Sequence, residues 1–77
     1  MITVKIRIDS IDKVKKLTSI LSKEGVDCDL VEGVRILDAK SIMGIFSLDL
    51  SKPIELKIHS DNREILNKLK DFIVDQP

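Results

Sequence analysis

Residues 1–21 have the sequence MITVKIRIDSIDKVKKLTSIL, in which the spacing of the apolar side chains changes once. Over residues 2–8, apolar residues alternate with polar or charged ones, which predicts a half-buried strand. Over residues 11–21, apolar residues recur at helical spacing, which predicts an amphipathic helix. Asp9 and Ser10 lie between the two patterns, and either side chain is suited to cap the N-terminus of the helix. The chain is therefore predicted to begin with a strand followed by a helix.

The predicted first helix has one apolar face and one lysine-rich face, and Gly25 follows it at a position suited to a left-handed residue. The residues predicted to be buried are Ile11, Val14, Leu17, Thr18 and Leu21. Lys13, Lys15 and Lys16 lie outside this face, where they form either a basic patch for an acidic partner or an ordinary solvated surface.

Three further strands are predicted from short stretches of alternating or β-branched residues. Residues 26–31 and 34–37 form two of them, joined by a tight turn at Glu32-Gly33. Residues 54–58 form the third, with apolar side chains inward and charged side chains outward.

Two further helices are predicted from the residues at their N-termini. Ser41 is suited to cap a short helix of about two turns. Asp61 with Glu64 three residues later resembles a capping box. The apolar face predicted for the final helix comprises Ile65, Leu66, Leu69, Phe72 and Ile73.

The predicted order is strand, helix, strand, strand, helix, strand, helix, in a single domain that covers residues 1–77. Because most of the strands alternate, the sheet is expected to have one covered and one solvated face. We therefore expect an α+β fold, an open-faced β-sandwich in which a four-stranded antiparallel sheet carries the three helices on one face.

Composition excludes several classes of protein. The 77 residues carry 13 Lys and Arg against 13 Asp and Glu, and this zero net charge removes the simplest electrostatic case for nucleic-acid binding. The single cysteine, Cys28, alternates with apolar neighbours and is predicted to be a buried small hydrophobe. The chain lacks a run of about 20 apolar residues and a signal-peptide pattern. We expect a soluble cytoplasmic protein that is not an enzyme and has no metal, cofactor or membrane-inserted segment.

Residues 39–48, AKSIMGIFSL, contain the most distinctive motif of the chain. They resemble the second-helix signature of the HPr family, the small phosphocarriers of the bacterial sugar phosphotransferase system. The family has the element order predicted above over nearly the same length. The resemblance implies an HPr-like fold, and partners drawn from the phosphotransferase system or from catabolite regulation.

The resemblance places the active histidine of the family, which accepts phosphate from enzyme I, on or very near Ser10. In the family motif Gly-Ile-His-Ala-Arg-Pro, the arginine and the proline fall on Asp12 and Lys13. Ser10 lacks an imidazole nucleophile, and Asp12 repels phosphate where the family has a cation. The chain is therefore predicted to be a variant that has lost histidine phosphotransfer.

The one histidine of the chain, His59, follows the predicted fourth strand and continues its outward set, Glu55 and Lys57. A histidine at such a position is expected to be solvated and without a partner. An unusual phosphocarrier that uses Ser10, His59 or a partner's residue stays as an alternative.

Ser41 matches the second phosphorylation site of the family, a serine that an ATP-dependent kinase modifies in many Gram-positive bacteria. Such a modification adds a charge of about −1.5 to −2 and changes the surface with little rearrangement of the fold. The alternative is that Ser41 only caps its helix, which contributes about 1 kcal/mol of stability.

Ile42, Met43 and Phe46 share one broad face of the predicted helix, and Ile45 and Leu48 lie on the opposite, core-facing side. In the family, the three matching positions form an exposed apolar patch that docks onto partner proteins. Methionine suits a surface that meets several partners. The alternative is that all three side chains belong to the core.

The sequence thus predicts an HPr-like regulatory or protein-interaction module with no catalytic residue. Its working residues are Ser41, as a regulatory phosphorylation site, and Ile42, Met43 and Phe46, as a partner-binding surface. A second hypothesis is the unusual phosphocarrier, and a third is a small ligand-binding or dimerising α+β module that shares only the fold.

Overall fold

The computed structural model describes residues 1–74, and its elements follow the predicted order. The strands are β1 (Ile2–Ile6), β2 (Cys28–Glu32), β3 (Arg35–Asp38) and β4 (Ile54–Ile58). The helices are α1 (Ile11–Glu24), α2 (Ile42–Ile45) and α3 (Ile65–Leu69). The four strands pair antiparallel in the order β1-β4-β2-β3, and the helices cover one face of this sheet. The predicted open-faced α+β fold is confirmed.

Alternate side chains of the strands form the floor of one apolar core. Ile58 lies opposite both Ile2 and Cys28, so one row of inward side chains crosses three strands. The inward side chains pack against the buried stripe of α1, because every second residue of a strand faces the same side. The largest fully buried side chains are Ile6, Ile8, Leu17, Leu21, Leu30, Ile45, Leu56, Ile58, Leu69, Val14 and Cys28.

The ends of α1 lie at the residues that the sequence predicts. Ser10 has an extended backbone, and its hydroxyl accepts a hydrogen bond from the Lys13 N–H at 3.2 Å. Gly25 has a φ of 64°, the left-handed conformation that glycine adopts without a steric penalty. The prediction for Ile11 is wrong, since its side chain is 60% exposed. Ile11 lies one turn before Val14, the first buried residue of the helix, and extends beyond the core.

The turn between β2 and β3 lies one residue later than predicted. Glu32 pairs with Arg35, so the turn residues are Gly33 and Val34 rather than Glu32 and Gly33. Gly33 has a φ of 60°, and a two-residue turn with glycine in its first central position matches the twist of the adjoining strands. As a result, β3 begins at Arg35, one residue later than predicted, and β2 extends to Glu32.

The helices α2 and α3 are shorter than predicted. α2 has four residues, because the chain after it forms tighter turns such as the bond from the Ser47 N–H to the Gly44 oxygen at 3.0 Å. The predicted capping box of Asp61 and Glu64 is wrong, since no side chain caps α3. The Asp61 carboxylate instead accepts a hydrogen bond from the Met1 ammonium at 2.7 Å. Within residues 1–74, no helix is long and apolar enough to cross a membrane.

The chain that follows α3 packs along the outer edge of β1. The Arg7 N–H donates to the Phe72 oxygen at 2.8 Å, and the Val74 N–H donates to the Lys5 oxygen at 2.9 Å. Phe72 and Ile73, predicted to lie on the final helix, follow it instead, and Ile73 forms an isolated bridge with β1. These residues cover the edge of the sheet that would otherwise present unpaired backbone groups.

Candidate functional site

Ser41 caps α2 with its side-chain oxygen. Its hydroxyl accepts a hydrogen bond from the Gly44 N–H at 3.4 Å, and its carbonyl oxygen accepts one from the Ile45 N–H at 2.9 Å. A Cβ atom at Gly44 would lie 3.1 Å from Ser41 Oγ, closer than an ordinary contact, so the glycine leaves room for the hydroxyl. Ser41 is exposed, and its hydroxyl therefore lies at the surface.

Directly after this cap, Ile42, Met43 and Phe46 form an exposed apolar surface, here called the α2 patch. Their exposed fractions are 40%, 87% and 45%. Ile45 and Leu48 point into the core, with exposed fractions of 0% and 6%. The predicted division of the helix is confirmed, and the alternative that all of these side chains are buried is wrong.

Contacts from the strands hold α2 and its flanking residues in place. The Arg35 guanidinium donates hydrogen bonds to the Ser47 carbonyl oxygen at 2.9 Å and to the Ser47 hydroxyl. On the other side of α2, Ala39 is fully buried, and its N–H donates to the Cys28 oxygen at 2.9 Å. Sequence reasoning missed Arg35, because its partner lies 12 residues away and no local pattern marks the pair.

At the N-terminus of α1, Ser10 is surrounded in sequence by charged residues. Asp9 forms ion pairs with Lys13 at 3.1 Å and with Arg7 at 3.4 Å, and Asp12 lies in the first turn of the helix. The hydrogen bond from Lys13, reinforced by the positive charge, lowers the pKa of the Asp9 carboxyl below its usual value. Among residues 1–74, no side chain accepts a hydrogen bond from the Ser10 hydroxyl, so no general base is placed to activate it as a nucleophile.

His59 has a partner that the sequence did not predict. Its Nε2 lies 2.8 Å from Asp29 Oδ2, and the two side chains are 41% and 35% exposed. The expectation that His59 is solvated is confirmed, and the expectation that it has no partner is wrong. The pair forms because β2 and β4 are neighbours and place Asp29 opposite Lys57, two residues before His59. Because the two residues are 30 positions apart, no local pattern in the sequence predicts this contact.

Ser10 and His59 lie at opposite ends of the sheet. Ile6, the last residue of β1, pairs with Ile54, the first residue of β4. Ser10 follows β1, whereas His59 follows the other end of β4. A strand of this length spans about 13 Å, so His59 does not occupy the position of a nucleophile at the start of α1.

The buried thiol of Cys28 offers no nucleophile either. Cys28 is 1% exposed, and burial raises the pKa of its thiol to about 11, against a weaker opposing effect of the Lys40 charge. The prediction of a buried small hydrophobe is confirmed. Among the described residues, no group of three or more His, Cys, Asp or Glu side chains is arranged to hold a metal ion.

No protein-family model matches the sequence, and no curated protein matches it significantly. Among solved structures, the chain is similar to the crystal structure of HPr-C-His from Thermoanaerobacter tengcongensis. The TM-score is 0.74 at 26% sequence identity, over 92% of this chain and 89% of that chain. With the same layers of strands and helices and nearly the same length, the chain has an HPr-like fold.

Proposed function

We propose that this protein is an HPr-like interaction module of the sugar phosphotransferase system or of catabolite regulation, acting in the cytoplasm. Its working surface is the α2 patch, its control point is Ser41, and it has no histidine relay. The observation that carries the proposal is the placement of three exposed apolar side chains beside a surface serine, on one turn of an HPr-like fold.

The α2 patch has the properties of a docking surface. Met43 is 87% exposed although most methionines of a small domain are packed inside, and Ile42 and Phe46 extend the apolar area on both sides. The buried contacts of Ile45 and Leu48 hold the turn against the core, so the patch is pre-organised and loses little conformational freedom on binding.

Phosphorylation of Ser41 by an ATP-dependent kinase is the proposed control. The hydroxyl is exposed and lies directly before the first residue of the patch. Its only hydrogen bond within the described residues is a long one from the Gly44 N–H, which modification can replace with a bond to a phosphate oxygen. A doubly charged group at this position would have to be desolvated when a partner covers the patch, so it would weaken apolar docking.

The proposed loss of the relay rests on the N-terminus of α1. The position that resembles the active histidine has Ser10, which lies between Asp9 and Asp12 in the sequence. The nearby cations Arg7 and Lys13 are already ion-paired with Asp9. Incubation with enzyme I and phosphoenolpyruvate is therefore expected to give no acid-labile phosphate. An authentic HPr serves as the positive control, and robust labelling of this protein would sink the proposal.

A second candidate is a phosphocarrier that uses His59, and the contact with Asp29 favours it. Because Asp29 engages Nε2, the carboxylate orients the ring and leaves Nδ1 as the nitrogen available for attack. That nitrogen would take a phosphoryl group from a phosphohistidine donor, whose imidazole leaves. If labelling occurs, His59→Gln should abolish it while Ser10→Ala leaves it intact; the reverse pattern excludes His59.

A further inference from the structure

We propose that the groove between α1 and the end of α3 binds a small organic anion that carries an apolar group. The groove has a volume of about 300 Å³, at the lower end of the range for small-molecule sites in proteins. Its main lining residues are Lys13, Lys16, Ile20, Lys68, Asp71 and Phe72. This binding is separate from the α2 patch and does not depend on the proposed function.

The two walls of the groove are facing stripes of neighbouring elements. Lys13, Lys16 and Ile20 are spaced so that they lie along one side of α1. Lys68 on α3 and Phe72 just beyond it form the other wall. Ile20 is partly buried against the core and Phe72 is 5% exposed, so the floor is apolar while the ammonium groups lie around it.

Three lysines and one carboxylate, that of Asp71, line the groove, so its lining carries a net positive charge although the net charge of the chain is zero. Lys13 and Lys68 form ion pairs with Asp9 and Glu24, each at 3.1 Å. Lys16 forms no ion pair with any residue from 1 to 74. Since partly exposed ion pairs are weak, an incoming anion meets Lys16, which is unpaired within residues 1–74, and two ammonium groups that it can share. The carboxylate of Asp71 opposes it.

The apolar floor and the ammonium groups around it together indicate which class of ligand fits the groove. An inorganic anion alone would engage the lysines and leave the apolar floor in contact with water. A neutral apolar molecule would cover the floor and gain nothing from the three ammonium groups. An aromatic or aliphatic anion satisfies both, and the volume limits it to roughly 10–20 non-hydrogen atoms.

The test uses naphthalene-1-sulfonate as the probe and naphthalene-1-sulfonamide as its neutral counterpart of similar shape. Each is titrated into the full chain while amide chemical shifts are recorded by ¹H–¹⁵N spectroscopy. The sulfonate should give saturable shifts at Ser19, Ile20 and Phe72, and the sulfonamide should bind about tenfold more weakly, as expected for the loss of several weak ion pairs. Equal affinities, or shifts centred on Met43, would overturn the proposal.

Three variants test whether the sulfonate binds in this groove. Lys16→Gln should weaken sulfonate binding about threefold, since it removes one exposed charge. Lys23→Gln is the matched control, because it removes a lysine from the same helix outside the groove, and it should leave the affinity unchanged. Ser19→Trp fills the groove from an exposed position and should abolish the shifts at Ile20 and Phe72; retained saturable binding there contradicts the proposal.

Discussion

Two serines cap helices in this molecule, and they differ in what surrounds them. Ser10 caps the 14-residue α1 with a hydrogen bond of 3.2 Å, and Ser41 caps the four-residue α2 with one of 3.4 Å. The first turn of α1 contains Asp12, whereas the first turn of α2 contains no acidic residue and exposes Ile42 and Met43.

The capping contact is therefore shared, and only the neighbours differ. A hydrogen bond from a serine to the first turn has a structural reason at both positions. The carboxylates beside Ser10 oppose an added phosphate, whereas the apolar side chains beside Ser41 form a surface whose properties a phosphate would change. At these two helix N-termini, the residues beside the cap differ, whereas the capping contact itself is the same.

Cys28 carries the chemically strongest nucleophile among the described residues, but its burial keeps it from competing with either serine. Because burial raises the pKa of the thiol from 9.0 to about 11, its thiolate fraction at pH 8 should be about 100-fold below that of an unperturbed thiol. Alkylation by iodoacetamide, followed by mass spectrometry, should be slowed at least that much in the folded protein and restored in urea. Fast alkylation of the folded chain contradicts this.

The raised pKa of Cys28 also makes the free energy of unfolding depend on pH. The unfolded thiol loses its proton above about pH 9, while the folded thiol keeps it until about pH 11. Stability should therefore fall as the pH rises through this window. Cys28→Ala should remove this part of the pH dependence of urea unfolding, and an unchanged slope would show that another group causes it.

A negative charge introduced at Ser41 should weaken docking, whereas one introduced at Ser10 should not. Ser41→Asp is expected to weaken binding to enzyme I about tenfold, or 1.4 kcal/mol, because the carboxylate must be desolvated beside the α2 patch. Ser10→Asp should change the affinity less than about twofold. Aspartate is a good capping residue, so both variants keep their helix caps. Equal losses of affinity for the two variants, measured by calorimetry, would contradict a difference between the two serines.

The two caps should also differ in their contribution to folding. Ser10→Ala should lower the free energy of unfolding by about 1 kcal/mol, because it removes the cap of the longest helix. Ser41→Ala should lower it by less than about 0.5 kcal/mol, since the bond is long and α2 is a single turn. Urea unfolding measures both, with Ser22→Ala as a control in the last turn of α1. A larger loss at Ser41 contradicts the account.

The smallest expected effect on stability is that of removing the Asp9 carboxylate, which precedes Ser10. The hydrogen bond and charge of Lys13 lower the pKa of Asp9 below 3.8. The contribution of Asp9 to stability is therefore present above that value and lost as the pH falls through its lower, folded pKa. Asp9→Asn should flatten the acid side of the stability profile slightly, and an unchanged profile would indicate that the pair with Lys13 is energetically neutral.

Local signals in the sequence predicted much of the fold. The cap of Ser10 and the left-handed Gly25 act over a few residues, and both lie where they were predicted. The alternation places the start of β1 at Ile2 correctly, but the strand ends at Ile6 rather than at Ile8. The α2 patch was also predictable, since helical spacing separates Met43 from Ile45.

Contacts between distant residues were not predictable in this way. The carboxylate of Asp61 was assigned to a helix cap, but it meets the N-terminal ammonium, 60 residues away in sequence. His59 finds Asp29 only because β2 and β4 are neighbours. Such pairs depend on the order of strands in the sheet, which the spacing of apolar residues does not determine.

Docking through the α2 patch is tested directly by a titration of the ¹⁵N-labelled protein with unlabelled enzyme I. Amide shifts are expected to centre on Ile42, Met43 and Phe46. Met43→Glu should abolish binding, whereas Val34→Glu, a matched change at a side chain that is 98% exposed on the β2–β3 turn, should retain it. Absence of binding, or shifts centred on Val34 with equal loss in both variants, would contradict the assignment of the α2 patch as the docking surface.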